Sequence, residues 1–229
     1  MKTMKVILLA GMMFFPFAVT AAPIIVGTAD SRNLAPFGST FGWIPTYQQT
    51  YGAGEFVDPF WIDSLSFYRE LDDQPWDLTP QGEYSISLST TNAGVDALSS
   101  NPADNWGADN TLVFQDSLPE TVSLGGQMDL FLEQSFYYDP GLGNLLMTVT
   151  ATDLSPTTVI SFDTSRSSND GMSRVYGDGF SDSIGLVTGF NDAGSTAVST
   201  PATMQLFALG LGALFLINRS RKQPALIRA

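Results

Sequence analysis

Apolar and small polar residues alternate through the middle of this chain. The cleanest case is Tyr84-Ser85-Ile86-Ser87-Leu88-Ser89, where every large side chain is followed by a serine. A period of two is the mark of a strand with one face in a core and the other toward water. The same pattern predicts strands at 62–68, 111–114, 128–132, 146–151, 159–162 and 184–190. Between them stand turn formers: Asp58-Pro59, Thr79-Pro80-Gln81-Gly82, Asn101-Pro102, Asp139-Pro140-Gly141 and Asn169-Asp170-Gly171. No stretch keeps a helical period over three turns; only 91–100 could wind once or twice before Pro102 stops it. Nothing resembling a linker divides residues 22–190, which are long enough for one large core. Many short strands separated by turns predict an all-β, antiparallel β-sandwich. Their number and the long loops favour a jelly-roll-like arrangement over an immunoglobulin-like one.

Two stretches break the alternation, one at each end. Lys2 and Lys5 precede an apolar run over 6–19, and Val19-Thr20-Ala21 puts small residues where a signal peptidase reads. Residues 1–21 therefore read as a signal peptide cut after Ala21, since a cut after Ala22 would leave Pro23 just past the scissile bond. An uncleaved anchor is the alternative, and either reading exports the chain. At the other end 191–200 is small and polar, a flexible tether that buries no core. Residues 203–217 then run without a charge and Arg219, Arg221 and Lys222 follow, the order of a membrane helix with its basic end kept inside. Such a helix spans about 22 Å at ~1.5 Å per residue against roughly 30 Å of hydrocarbon, so snorkelling of Arg219 and Arg221 or local thinning must close the gap. A buried C-terminal helix of a soluble domain is the alternative.

The segment from Val198 to Lys222 resembles a PEP-CTERM sorting signal, the bacterial tail processed by exosortase, a membrane transpeptidase. Val198, Pro201, Ala202 and Thr203 match its Val-Pro-Glu-Pro-Ala-Thr pattern, while Ser199 stands at the first Pro and Thr200 at the Glu. The stretches 47–51, 84–90 and 138–146 are also similar to envelope proteins that carry this tail. The resemblance implies an exosortase-type partner, contact with inner-membrane lipid during sorting, and delivery of residues 22–190 to the envelope of a Gram-negative bacterium. There the expected role is structural or adhesive, in an exopolysaccharide or biofilm matrix.

Charge narrows the partners. All 23 carboxylates lie between Asp30 and Asp192, against only Arg32, Arg69, Arg166 and Arg174, so the exported part carries −19 where the whole chain carries −13. Such a field repels nucleic acid and anionic lipid and keeps the protein soluble. With no Cys and no His there is no disulfide, no thiolate nucleophile and no imidazole base or zinc ligand. No Gly-x-Ser-x-Gly elbow or phosphate loop is present, and carboxylate pairs such as Asp72/Asp73 or Glu133/Asp139 do not stand out among so many, so the chain reads as a non-enzyme.

Three groups remain as candidate sites. Asp104, Asn105, Asp109 and Asn110 offer closely spaced oxygens of the kind calcium takes, although Asx residues also populate plain turns, and no other cofactor is expected. Asp163, Asn169, Asp170, Asp178 and Asp182 form a second acidic set. Trp43, Tyr47, Tyr51, Phe60, Trp61, Phe67 and Tyr68 concentrate aromatic area early in the chain. With Trp43 and Trp61 exposed they would make a sugar-stacking platform, the second functional reading; at period-two spacing they also read as core.

Overall fold

The computed structural model describes residues 23–38, 46–73, 75, 78–155, 159–167, 170–177 and 179–194, and among them there is no α-helix. The strands are β1 (Ile24–Val26), β2 (Ser31–Asn33), β3 (Thr46–Tyr51), β4 (Phe60–Tyr68), β5 (Gln81–Thr91), β6 (Thr111–Asp116) and β7 (Gln127–Tyr138). After them come β8 (Asn144–Ser155), β9 (Phe162–Ser165), β10 (Met172–Tyr176), β11 (Phe180–Asp182), β12 (Gly185–Leu186) and β13 (Thr188–Phe190). Every pairing between these strands is antiparallel. They make three sheets: a larger one in the order β11-β10-β3-β8-β5-β6, a smaller one in the order β1-β13-β4-β7, and a three-stranded one in the order β12-β9-β2. The all-β expectation holds. The predicted helices at the two ends fall outside the described residues, and among the described ones no helix is long and apolar enough to cross a membrane.

Local sequence explains most strands. On β5 the alternation does what it promises: Tyr84, Ile86 and Leu88 are buried, while Ser85 and Ser87 between them are half-buried. Burying each of those apolar side chains contributes about 1.5–3 kcal/mol. On β4 and β7, Ile62, Leu65, Phe67, Met128, Leu130, Phe136 and Tyr138 point into the same core. Phe37, from the loop after β2, packs against Phe67 of β4 at 4.7 Å, Phe162 of β9 at 5.9 Å and Tyr84 of β5 at 6.0 Å, touching all three sheets. Tyr51 of β3 meets Phe190 of β13 edge-on at 5.1 Å, and its hydroxyl is 2.9 Å from Thr188 Oγ1.

β3 (Thr-Tyr-Gln-Gln-Thr-Tyr) escapes a hydrophobicity pattern because its inward residues are polar-tipped. Gln49 is fully buried, yet its carboxamide behaves like a piece of backbone. It donates to Leu186 O at 3.0 Å, accepts from Leu186 N at 2.7 Å and accepts from Tyr47 Oη at 2.6 Å. One side chain thus pairs with both backbone groups of Leu186 on β12 and ties the larger sheet to the three-stranded one. A buried amide left without such partners would cost about 1–3 kcal/mol.

Three expectations need correction, the first being the strand predicted at 159–162, which begins only at Phe162 and runs to Ser165 as β9. Residues 91–100 form no helix: β5 runs through Thr91, a turn follows, and the only helical geometry nearby is a 3₁₀ turn at Pro102–Asn105, just past the predicted end. The Asx-rich and Ser-rich composition there bonds its own backbone instead. The single strand predicted at 184–190 is two strands in different sheets, β12 and β13, with the chain stepping from one to the other at Val187.

Candidate functional site

The two outer faces of the sheets differ. Across the back of the larger sheet lies the 92–110 loop, pinned to outward-pointing polar residues. Asn105 Nδ2 donates to Gln48 Oε1 at 2.8 Å, Gln48 Nε2 donates to Thr148 Oγ1 at 3.0 Å and to Pro102 O at 3.1 Å, and Trp106 Nε1 donates to Thr148 Oγ1 at 3.2 Å. That face is roofed, which is why Gln48 and Thr50 are buried although they point away from the core.

The outer face of the smaller sheet is open and aromatic. Trp61 on β4 and Tyr137 on β7 are register partners, with ring centroids 5.2 Å apart at 54°. They are 57 % and 49 % exposed, and Phe131, opposite Ser64 on the same pair of strands, is 67 % exposed. Alternation forces this placement. Ile62, Phe136 and Tyr138 must face the core, so their neighbours Trp61 and Tyr137 must face out. A register shift between Ile62 and Ser64 leaves residues 132–135 of β7 opposite Asp63 alone, and it separates Phe131 from the Trp61–Tyr137 pair.

Below the aromatics the face turns polar and ordered. Asp129 Oδ1 accepts from Ser66 Oγ at 2.8 Å and from Gln127 Nε2 at 2.6 Å. Tyr68 Oη donates to Asp192 Oδ2 at 2.6 Å, and partial burial together with that carboxylate holds the phenol well above its ordinary pKa. Asn191 joins the strand ends, accepting from Asp63 N and donating to Trp61 O, each at 2.7 Å. Gly189, the middle residue of β13, is the register partner of Ser66, and a Cβ there would collide with Tyr68 Oη and the Asp192 side chain.

A groove of about 1050 Å³ opens beside this face, walled by Asp30, Arg32, Glu70, Asp72 and Asp163 over Ile25, Leu71 and Val187. Its polar groups brace one another. Arg32 Nη1 donates to Asp72 O at 3.2 Å, Glu70 Oε1 accepts from Asp72 N at 3.2 Å, and Asp30 Oδ1 accepts from Arg166 N at 3.0 Å. Desolvation and the Glu70 charge raise the Asp163 pKa.

The sequence candidates are distributed as follows. Asn105 is buried and its carboxamide is engaged within the loop: besides Gln48 it donates to Ser99 O at 2.9 Å and accepts from Ser99 N at 2.7 Å. Asp104 accepts from Ser99 Oγ and Asn101 Nδ2, Asp109 Oδ1 accepts from Thr90 N, and Asn110 closes a turn on Gly107 O. Among the described residues no three or more carboxylates gather in a metal-holding group. The second acidic set is not brought together. Asp163 walls the groove, Asp170 accepts from Met172 N, and Asp182 clamps Arg174 through bonds of 2.8 and 2.9 Å; Asn169 and Asp178 lie outside the described residues. Of the suggested carboxylate pairs, Asp73 holds Ser161 N at 2.5 Å while Asp72 faces the groove, and Asp139 caps the 3₁₀ turn at Pro140–Leu142 while Glu133 is exposed on β7.

Of the early aromatics, Tyr47, Tyr51 and Phe67 are core, Phe60 and Tyr68 are half-buried, Trp61 is on the open face, and Trp43 lies outside the described residues. Tyr137 and Phe131 were not singled out by the sequence. Phe136-Tyr137-Tyr138 carried the signal, since three consecutive aromatics on a strand cannot all face one way. Val198, Pro201, Ala202, Thr203, Arg219, Arg221, Lys222 and Ala21 also lie outside the described residues. Comparison with protein-family models, with curated proteins and with solved structures finds no match.

Proposed function

We propose that this is an exported cell-envelope protein that adheres to polysaccharide through the open face of its smaller sheet, as a binding protein rather than an enzyme. The observation that carries this reading is the exposed Trp61–Tyr137 pair. Aromatic rings left in water on a flat strand surface are costly unless a ligand covers them, and the C–H faces of sugar rings pack well on such a surface. Beyond the pair, the half-buried Asp129 and Tyr68, held in place by the buried Ser66 and Asp192, supply a carboxylate and a hydroxyl for sugar hydroxyls.

The architecture we assign is a jelly-roll with additions. In chain order β1, β3, β4, β5, β6, β7, β8 and β13 fall in the smaller, larger, smaller, larger, larger, smaller, larger and smaller sheets, as two nested Greek keys require. The β10–β11 hairpin extends the larger sheet past β3. Export and sorting are part of the same proposal. They are supported by the leader ending at Ala21 and by the tail running from Val198 through Lys222, with an exosortase-type enzyme as processing partner and exopolysaccharide as the surface the cargo meets. Nucleic acid is excluded as a partner by the −19 charge of the exported part.

The test is a glycan array probed with the full chain in nonionic detergent. Saturable binding to a defined subset of glycans is expected, weakened about thirtyfold (~2 kcal/mol) by Trp61→Ala or Tyr137→Ala, with circular dichroism unchanged. No bound glycan, or binding indifferent to both substitutions, would refute the reading.

A further inference from the structure

We infer that the glycan taken by this face is cationic, an amino-sugar polymer with free ammonium groups; this rests on the carbohydrate reading above and specifies its ligand. None of the four strands of the smaller sheet carries a lysine or an arginine. Of the four arginines in the exported part, Arg69 and Arg174 are buried, and Arg32 and Arg166 belong to the three-stranded sheet and the turn after it. A uronate or sulfate placed on Trp61 would therefore meet no cation on these strands and would enter a strongly negative field.

Carboxylates, in contrast, frame the aromatics. Asp63 lies two residues from Trp61 on β4, is exposed, and is oriented by a short hydrogen bond from Ser135 Oγ. Glu133 is exposed on β7, two residues from Phe131 and four from Tyr137. Asp129 and Asp192 continue the negative line along the face. An ammonium group is matched twice here, by the carboxylates and by the aromatic ring faces, which attract cations through their quadrupoles. A neutral N-acetylated sugar gains only the stacking.

Calorimetric titration of the full chain in nonionic detergent with three hexamers tests this: fully deacetylated glucosamine, N-acetylglucosamine and guluronate. The glucosamine hexamer should bind about tenfold tighter than its acetylated form, with guluronate not detected, and the preference should shrink as salt rises. Asp63→Asn with Glu133→Gln should remove most of that preference while leaving the acetylated hexamer bound as before. The control Asp116→Asn with Glu120→Gln, on and just beyond the edge of the larger sheet, should leave it intact. Equal binding of the acetylated and deacetylated hexamers overturns the inference but leaves the stacking reading standing. A preference lowered equally by the control pair also overturns it, because the attraction is then diffuse. Absence of binding by every hexamer, together with a blank glycan array, removes the carbohydrate reading itself.

Discussion

Replacing Asn105 asks whether the 92–110 loop is a roof held by its own hydrogen bonds or a loop organised around an ion. In the structure the Asn105 carboxamide makes three contacts within bonding distance: to Gln48 Oε1 at 2.8 Å, to Ser99 O at 2.9 Å and from Ser99 N at 2.7 Å. Asn105→Ala deletes all three and leaves the buried Gln48 oxygen without its donor. Each net bond is worth about 0.5–1.5 kcal/mol, so three give about 1.5–4.5, and a stranded buried acceptor adds about 1–3; a loss of at least about 2.5 kcal/mol follows. For a domain of this size that is a fall in melting temperature on the order of 10 °C. Asn105→Asp is the sharper probe. It keeps an acceptor for Ser99 N but turns a donor toward Gln48 Oε1 into a second carboxylate oxygen, so it should destabilise by a similar amount. An ion-organised loop would instead tolerate or welcome that carboxylate and respond to calcium. Urea unfolding with and without calcium and chelator reads both variants. Losses below about 1 kcal/mol, or an Asn105→Asp variant rescued by calcium, would refute the strut argument.

Three further outcomes follow from the side-chain environments. Asp182→Asn should cost about 2–4 kcal/mol in urea unfolding, because Asp182 clamps the buried Arg174 guanidinium, which also stacks 4.9 Å from the Tyr176 ring, and the cation would lose its counter-charge. Asp163 has a raised pKa from desolvation and then from Glu70, so the folded state holds its proton more tightly than the unfolded chain and stability falls as pH rises through the acid range; Asp163→Asn should raise the melting temperature at pH 7, and that gain should vanish below about pH 4. Six of the seven tyrosines, Tyr47, Tyr51, Tyr68, Tyr84, Tyr138 and Tyr176, have phenol pKa values raised chiefly by burial, so stability is lost as pH climbs above about 10 and the phenolate absorbance should rise together with unfolding rather than before it.

What the sequence could reveal depended on where each strand faces. β5 was legible because Tyr84, Ile86 and Leu88 meet the core and the residues between them are small and polar, which leaves a clean period of two, while β6, β7 and β8 were legible as apolar runs bounded by turn formers. β3 was missed because both its faces are buried, one in the core through Tyr47, Gln49 and Tyr51 and one under the loop through Gln48 and Thr50, so polarity no longer reports exposure. β1, β2, β11 and β12 are two or three residues long, too short for any period to register. Trp61 was visible as a candidate but its direction was not. Only the pairing of β4 with β7, which sets Trp61 beside Tyr137, turns it from one more aromatic into half of a surface. The groove walled by Glu70 and Asp163 was illegible for a related reason, since its carboxylates lie 93 positions apart in a chain full of them.

The most direct measurement is a nuclear magnetic resonance titration of the full chain, labelled with ¹⁵N at its tryptophan indoles, with the glucosamine hexamer. Trp61 and Trp106 are both partly exposed, but Trp106 Nε1 is engaged by Thr148 on the roof of the larger sheet while Trp61 lies on the open face of the smaller one. The Trp61 indole signal, identified by its loss in Trp61→Phe, should move saturably while the Trp106 signal stays in place. Movement at Trp106 with Trp61 unmoved, or no movement at either with this hexamer and with its acetylated form, would contradict the proposed binding face.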